Sequence, residues 1–280
     1  MNASDFAFFA DLLKRRSGLF LTPDKFPLIK SRLAPVARRF GFREIEGLIR
    51  ELRHGREPLA RAVTEAMMTN DSSFFRDTGT FEYFQNTILP SLLTRRASTR
   101  HLRIWCAAVA HGQEAYSIAM MLDDLKLAEA GWTIDLNATD LNSEAIARAK
   151  DGVYSQFEVQ RGLPIQRLVR YFTQEGGQWR IVDRLRRMVN FHTFNLLDSF
   201  GWLGEADVIF CRNVLIYFDM MTRARVLERL DDTLAVDGYL VLGATESLVG
   251  ASADFAPAYD TRGTYTKAVP ARTGVARLAG

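Results

Sequence analysis

Apolar residues recur every three or four positions through the first part of the chain, and this spacing predicts a series of amphipathic helices. The repeats are Phe6, Phe9 and Leu13; Phe26, Ile29, Leu33, Val36 and Phe40; Ile45, Leu48, Ile49 and Leu52; and Leu59, Val63, Ala66 and Met67. Thr22 as N-cap and Pro23 at the first helical position are typical of a helix start, and Gly41 is expected to end that helix. We predict a small helical domain over residues 1–75 and a linker with a further helix over 76–100.

From about residue 100 onward, short apolar runs alternate with helical repeats. Strands are predicted at 102–108, 132–139, 206–211 and 239–243, and helices at 114–130, 143–150 and 222–234. Alternating strands and helices are typical of parallel βαβ units. We therefore predict an α/β fold in which a doubly wound, Rossmann-like sheet covers residues 101–270.

Two segments interrupt that alternation. Residues 152–190 contain Gly176 and Gly177 between short β-like pieces at 170–172 and 179–182, which predicts a small inserted β-subdomain with a hairpin. Residues 255–268 predict a closing hairpin around 260–263. Residues 271–280 are expected to form a tail outside the fold.

Composition narrows the class of protein. The chain has 280 residues, of which 48% are hydrophobic and 25% charged, and this excludes a disordered chain, a collagen-like repeat and a disulfide scaffold. No apolar run is long enough to span a bilayer, and the N-terminus lacks the basic start of a signal peptide. The two cysteines, Cys106 and Cys211, suit a reducing compartment, so we expect a cytoplasmic protein with no membrane insertion.

The net charge of +3 conceals an uneven distribution along the chain. Residues 1–100 carry a net charge of +6 and the remaining residues a net charge of −3. This split indicates either a basic surface that recruits an anionic partner or simply a well-solvated helical face.

The turn after the first predicted strand has the sequence AAVAHG at residues 107–112. It retains only Gly112 of the dinucleotide-binding pattern G-x-G-x-x-G. The small side chains of Ala107, Ala108 and Ala110 still allow a ligand close to the backbone. A cofactor without a pyrophosphate tolerates alanine here, so the turn favours S-adenosylmethionine over NAD.

Polar residues follow the predicted strands at 132–139 and 206–211 and the strand-like segment at 191–194, at the edge where open α/β sheets bind ligands. Asp140 can accept hydrogen bonds from both hydroxyls of a cofactor ribose, or it can cap the next helix, although Asn142 or Ser143 is better placed for the cap. Asn195, Arg212 and the adjoining asparagine at 213 occupy equivalent positions.

Neither a nucleophilic constellation nor a metal site is predicted. His54, His101, His111 and His192 lie in dissimilar contexts without ligand spacing, and the two cysteines do not form a C-x-x-C motif.

Five blocks of sequence resemble one family in their order and spacing. They are TNDSSFFR at 69–76, RIWCAAVAHGQEAYS at 103–117, ATD at 138–140, NLL at 195–197 and CRNVLIYFD at 211–219. Over nearly the whole chain they resemble the chemotaxis receptor methyltransferases, the CheR family. The resemblance implies a helical N-terminal domain, an S-adenosylmethionine-binding α/β domain with an inserted β-subdomain, and methyl transfer to glutamate side chains of chemoreceptors in sensory adaptation.

The resemblance also implies roles for individual residues. The cofactor contacts of the family fall here on Asn70, Ser72, Arg76, Glu114, Asp140, Asn195, Leu196, Arg212 and Asn213. Arg76 could hold the cofactor carboxylate as a bidentate fork. The chain departs from the family at His111, Gln113 and Ala115, where threonine, glutamate and proline are frequent, and Ser72 replaces a threonine.

A receptor glutamate has a reference pKa of about 4.3, so it is already ionised at neutral pH and needs no catalytic base. We expect Arg76, Asn213 and Tyr217 to shape the catalytic pocket by positioning alone.

Receptor helices that carry glutamates could dock on a basic face formed by Arg32, Arg38 and Arg39. The short hairpin loop around residues 175–177 favours a member that does not depend on a peptide at the receptor C-terminus.

Two other functions remain open from the residues. A nucleic-acid methyltransferase would suit the sequence pI of about 8.9, but the CRNVLIYF block lacks the proline of the usual catalytic motif. A non-catalytic S-adenosylmethionine-binding signalling module would suit the altered turn at His111 and Gln113, whereas the retained Arg76, Asp140 and Arg212 argue against it.

Overall fold

In the computed structural model, residues 1–248, 252–258 and 263–268 are described. The four helices predicted at the N-terminus are confirmed as α1 (Ala3–Ser17), α2 (Phe26–Arg39), α3 (Ile45–Leu52) and α4 (Glu57–Met67). They share a core of their own in which Phe9, Leu13, Ile29, Leu33 and Leu48 are fully buried.

Of the two predicted ends of α2, the start differs from the structure and the end agrees with it. Thr22 does not cap α2: its side chain makes no capping hydrogen bond, and Pro23 opens a 3-10 turn (Pro23–Lys25) that precedes the α-helix. Gly41 does end the helix, because its amide donates to Arg38 O at 3.2 Å and the next amide, of Phe42, donates to Ala37 O at 2.8 Å. These two bonds form a Schellman motif.

A linker and a long helix join the helical domain to the sheet. The helix consists of α5 (Thr78–Tyr83), a π-helical turn (Phe84–Ile88) and α6 (Leu89–Arg95). Its aromatic residues pack on the sheet, since Phe81 and Phe84 both contact the ring of Phe210.

The rest of the described chain alternates between strands and helices. The strands are β1 (His101–Ala107), β2 (Thr133–Asp140), β3 (Val153–Ser155), β4 (Phe172–Glu175), β5 (Gln178–Ile181), β6 (Val189–Thr193), β7 (Ala206–Cys211), β8 (Leu234–Val241), β9 (Phe255–Pro257) and β10 (Thr264–Lys267). The helices are α7 (Gln113–Asp124), α8 (Ser143–Asp151), α9 (Gln156–Gln160), α10 (Ile165–Tyr171), α11 (Asp183–Met188) and α12 (Met220–Thr233).

The main sheet has the strand order β6-β2-β1-β7-β8-β10-β9. Strands β6, β2, β1, β7 and β8 are parallel, and β10 pairs antiparallel with both β8 and β9. The predicted doubly wound sheet is therefore confirmed. Because the strand order reverses beside β1, the carboxyl ends of β1, β2 and β7 border one crevice.

Several predicted boundaries differ from the structure. Helix α7 ends at Asp124 rather than near residue 130, because a series of turns follows in which Lys126 has a φ of +52°. Helix α12 begins two residues early, since the Asp219 carboxylate accepts a hydrogen bond from Thr222 N at 2.9 Å and caps it. Strand β8 ends at Val241, so Gly243 lies in the following turn.

The inserted β-subdomain is a three-stranded antiparallel sheet of order β3-β5-β4. The hairpin at Gly176 and Gly177 is confirmed, but its first strand begins at Phe172, because residues 165–171 form α10. The closing hairpin is confirmed by the antiparallel pairing of β9 and β10. Residues 260–262 of its expected turn and the expected tail at 271–280 lie outside the described residues.

Among the described helices, none has the length and apolar character needed to cross a membrane.

Candidate active site

A single pocket at the carboxyl edge of β1, β2 and β7 contains every residue that the sequence indicated for cofactor binding or catalysis. The ten residues are Asn70, Ser72, Arg76, Glu114, Asp140, Asn195, Leu196, Arg212, Asn213 and Tyr217. They come from the linker, from α7 and from the ends of three strands, β2, β6 and β7, and residues of the helical domain also line the pocket.

The floor of the pocket is the turn after β1. Ala108 and Ala110 have left-handed backbone conformations, with φ of +60° and +50°, and both line the pocket. A side chain at Gly112 is excluded, because its φ is +87° and a Cβ there would lie 2.9 Å from Ala149 Cβ. The turn therefore presents only its backbone and small apolar side chains to a ligand.

Asp140 ends β2 with its carboxylate buried at the pocket wall. Its Oδ2 accepts a hydrogen bond from Ala110 N and its Oδ1 accepts one from Asn142 N, both at 2.8 Å. Burial raises the pKa of this carboxyl, although these backbone bonds oppose the shift. Within the described part of the chain no cation pairs with it, so it retains acceptor capacity for a ligand.

The capping role considered for Asp140 is wrong. The cap of α8 is Asn142, whose side-chain oxygen accepts hydrogen bonds from Glu144 N and Ala145 N, both at 3.0 Å.

Arg212 forms a buried ionic junction between β7, α7 and the linker. Its guanidinium donates to Glu114 Oε2 at 2.8 Å, to Asp77 Oδ2 at 2.7 Å and to Arg76 O at 2.8 Å. The side chain is 2% exposed. Burial raises the pKa of Glu114 even though the adjacent Arg212 lowers it, so desolvation dominates here. Arg212 thus fixes the linker on the sheet beside the pocket.

Arg76 is held less tightly. One guanidinium nitrogen donates to Asp71 O at 3.0 Å, and Asp71 in turn forms an ion pair with Arg161 of the inserted β-subdomain at 2.8 Å. The side chain of Arg76 is one-third exposed, so part of its guanidinium is available to an anion. The side chains of Asn70 and Ser72 form no hydrogen bonds with other described residues.

The segment after β7 carries Asn213 and Tyr217. Asn213 has a φ of +59°, in the left-handed region that asparagine adopts more readily than most residues with a side chain. Tyr217 packs against the core of the helical domain, and its carbonyl accepts a hydrogen bond from Phe20 N at 2.8 Å. No other described residue forms a hydrogen bond with its hydroxyl.

The helical domain contributes pocket residues that no sequence pattern indicated. Ser17 and Leu19 line the pocket, Leu19 bridges to Phe218, and the Asn195 side-chain amide donates to Arg16 O at 2.7 Å. These contacts join segments about 180 residues apart, and only packing brings them together.

The structure changes the interpretation of Arg32. Its guanidinium donates to the carbonyls of Met67 and Met68 and to the Thr69 hydroxyl, so it supports the linker and is only partly exposed. Arg38 and Arg39 are exposed as expected.

The described residues contain no group of three or more His, Cys, Asp or Glu side chains arranged to hold a metal ion. Cys106 and Cys211 are fully buried, and burial raises the pKa of both thiols well above the usual value. Neither thiol lines the pocket.

Comparison with known proteins gives matches across both parts of the chain. The family described as CheR methyltransferase, SAM binding domain, matches residues 70–263, and the CheR methyltransferase all-alpha domain matches residues 4–68. Chemotaxis protein methyltransferase 1 of Pseudomonas aeruginosa is 38% identical over 249 residues, covering 88% of this chain and 90% of that protein. Chemotaxis protein methyltransferase Cher2 of Pseudomonas putida is 38% identical over 251 residues, with 88% and 91% covered. A chemotaxis protein methyltransferase of Vibrio parahaemolyticus is 36% identical, with 88% and 90% covered.

Proposed function

Because this chain belongs to the CheR methyltransferase family and carries its S-adenosylmethionine-binding domain, we propose that it methylates glutamate side chains of chemoreceptors, giving glutamyl methyl esters. The observation that carries the proposal is the convergence of ten family-related residues on one pocket. The names of its relatives supply the link to chemotaxis.

The donor and acceptor groups of the pocket suit S-adenosylmethionine. The buried carboxylate of Asp140 has no cation partner among the described residues, and it retains acceptor capacity for hydroxyl donors such as those of a ribose. Arg76 would hold the carboxylate of the methionine part, and Asn195 and Leu196 would lie at the adenine. When bound, the cofactor supplies a methyl group on a positively charged sulfur.

The residues of the pocket would then act by positioning the substrate carboxylate and the cofactor. A glutamate substrate is already ionised at neutral pH, so no group in the pocket has to remove a proton. The buried junction of Arg212 with Glu114, Asp77 and Arg76 O holds the linker in place beside the pocket. No residue of the chain forms a covalent intermediate in this scheme.

One assay separates the possible functions. Purified protein and S-adenosylmethionine labelled in the methyl group are incubated with receptor-containing membranes, RNA or DNA. We expect label on the membranes that mild base releases as methanol, as for a carboxyl methyl ester. Base-stable label on nucleic acid would instead show a nucleic-acid methyltransferase, and cofactor binding without transfer would show a binding module.

Tyr217→Phe is expected to reduce kcat for receptor methylation roughly 10- to 100-fold, the cost of one hydrogen bond to a charged group. Tyr217 lines the pocket, and its hydroxyl has no hydrogen-bond partner among the described residues, so we propose that it contacts the substrate. Binding of S-adenosylhomocysteine, measured by calorimetry, should not change. Tyr239→Phe, which removes a phenol bonded to Arg95 outside the pocket, is the control. Wild-type kcat in Tyr217→Phe would exclude this role.

The receptor would dock on the basic face of the helical domain. Arg38 forms no ion pair with another described residue, and Arg39 lies 3.5 Å from Glu144, with both side chains largely exposed. Exposed charges of this kind steer an acidic partner rather than stabilise the fold. The turn between β4 and β5 has only two residues, which supports docking independent of a receptor C-terminal peptide.

Replacing both arginines, Arg38→Glu with Arg39→Glu, should raise the KM for receptor at low salt and leave cofactor affinity unchanged. The difference from the wild type should shrink as salt rises, because exposed charges are screened within about 8 Å at physiological ionic strength. The matched control is Arg187→Glu with Arg225→Glu, two exposed arginines outside the helical domain. An unchanged KM at low salt would refute docking at this face.

A further inference from the structure

One buried carboxylate beside the pocket has no assigned role in the methyl transfer proposed for this protein. Glu246 is 5% exposed and lies in the turn after β8. Its Oε2 accepts hydrogen bonds from Asn213 N at 2.7 Å and from Gly243 N at 2.8 Å, and its Oε1 accepts one from Ile216 N at 3.3 Å. It forms no ion pair with a cation in the part of the chain described, so backbone amides alone compensate its burial.

Two of these amides belong to the segment that follows β7. That segment carries Asn213 and Tyr217 into the pocket, and Ile216 lies in its 3-10 turn. Asn213 has a φ of +59°, a left-handed conformation that asparagine adopts more readily than most residues and that hydrogen bonds from its surroundings stabilise further. Glu246 thus connects the turn after β8 to the one residue of this segment with a left-handed backbone.

The side chain of Asn213 is confined as well. A Cβ at Gly243 would lie 2.5 Å from Asn213 Nδ2 and 2.9 Å from Glu246 Oε2, so the asparagine amide occupies the space that glycine leaves open. The backbone of Asn213 is therefore held by Glu246, and its side chain packs closely over Gly243.

From this geometry we propose that Glu246 is a positioning residue for methyl transfer, which acts by holding Asn213 and the turn of Tyr217 in their reactive arrangement. The proposal rests on the proposed function of the same pocket. Glu246 does not line the pocket, so it affects the reaction through these neighbours and makes no contact of its own with substrate.

Three substitutions, two at Glu246 and one at Gly243, test the proposal. Glu246→Ala removes all three acceptor bonds and should lower kcat on receptor membranes roughly 100-fold, as expected for a small displacement of reacting groups. Glu246→Gln keeps one acceptor oxygen and should recover part of that loss. Gly243→Ala retains the carboxylate but crowds both the Asn213 side chain and Glu246 Oε2, and it should lower kcat as well. Glu228→Ala, on the exposed face of α12, is the control.

Each variant is measured for kcat, for the KM for receptor, for binding of S-adenosylhomocysteine and for thermal unfolding. The backbone amide resonance of Asn213, followed by NMR, reports the hydrogen bond directly and should move upfield in Glu246→Gln and Glu246→Ala. If Glu246→Ala fails to fold, the kcat values of Glu246→Gln and Gly243→Ala test the proposal. A reduced kcat per folded, ligand-binding protein together with a shifted Asn213 amide supports the proposal.

Wild-type kcat in folded Glu246→Gln and Gly243→Ala would overturn the proposal, as would a loss of kcat that matches the loss of ligand-binding protein. Failure of the proposed function gives a different pattern. In that case the wild type itself labels no receptor, while the Asn213 amide still reports whether Glu246 holds it.

Discussion

Arg212→Met is expected to destabilise the folded protein by about 3–5 kcal/mol, the usual cost of removing one partner from a buried ion pair. The substitution leaves Glu114 buried and uncompensated and removes the bonds to Asp77 Oδ2 and Arg76 O. Urea unfolding measures the loss of stability. Because the linker is released at Arg76, binding of S-adenosylhomocysteine should weaken in parallel.

The double variant Arg212→Met with Glu114→Gln separates the ion pair from packing. Removing both charges should restore part of the stability, since no uncompensated carboxylate remains. Arg225→Met, at an exposed position of α12, controls for the loss of an arginine. A double variant as unstable as Arg212→Met would show that the loss does not arise from the charge of Glu114.

The loss of folding stability in Arg212→Met should depend on pH. Burial already raises the pKa of Glu114 above its ordinary value of 4.5, and removing Arg212 takes away the main influence that lowers it. A carboxyl with a raised pKa in the folded state stabilises the fold below about pH 4.5 and loses that contribution as pH rises through the folded-state pKa. The deficit relative to the wild type should therefore be smaller near pH 5 than near pH 8.

Asp140→Asn is expected to weaken cofactor binding strongly, by roughly 10- to 100-fold for each ribose hydroxyl that loses a charged acceptor. Asp140 has no cation partner among the described residues, so the proposed hydroxyls would be its main external partners. Calorimetric titration with S-adenosylhomocysteine gives the change in Kd. Asp232→Asn, at an exposed position, should bind as the wild type does.

The affinity of the wild type for the cofactor should rise with pH as Asp140 ionises. Over the same pH range, the protein without cofactor should lose the stability that protonated Asp140 contributes. Burial raises the pKa of Asp140 above 3.8, so its contribution to folding is fully present below that value and is lost as pH rises through the folded-state pKa. Cofactor binding needs the ionised acceptor and should strengthen over the same range. Asp140→Asn should lose this pH dependence. The variant therefore distinguishes the titration of Asp140 from that of His111, because burial lowers the pKa of His111 and that residue is unchanged. An affinity that falls with rising pH would contradict the proposed role of Asp140.

Much of the fold could be predicted from local patterns. The repeats at Phe9 and Leu13 or at Leu48 and Ile49 predict a helix because one face must be buried, whatever it packs against. The apolar run of β7 likewise predicts a buried strand. Boundaries were less predictable where a side chain forms an unexpected cap, as Asp219 does for α12.

The strand-end residues of the candidate site were predictable for a topological reason. Once the sheet is parallel, the carboxyl ends of its strands share an edge, so Asp140, Asn195 and Arg212 must lie near one another. The family blocks added the linker residues around Arg76. The roles assigned to these residues remain predictions that the variants above can test.

By itself, then, the sequence determined the order of helices and strands, the parallel sheet and the edge at which its polar residues gather, because these follow from periodicity over a few residues. Only the tertiary structure decided that the helical domain lines the pocket with Leu19, that Arg32 supports the linker, and that Glu246 holds Asn213. These features depend on contacts between distant segments, and burial there raises the pKa of Glu114 and of Asp140. Packing and desolvation at long range leave no periodic trace in a sequence, so they become visible only when the chain is folded.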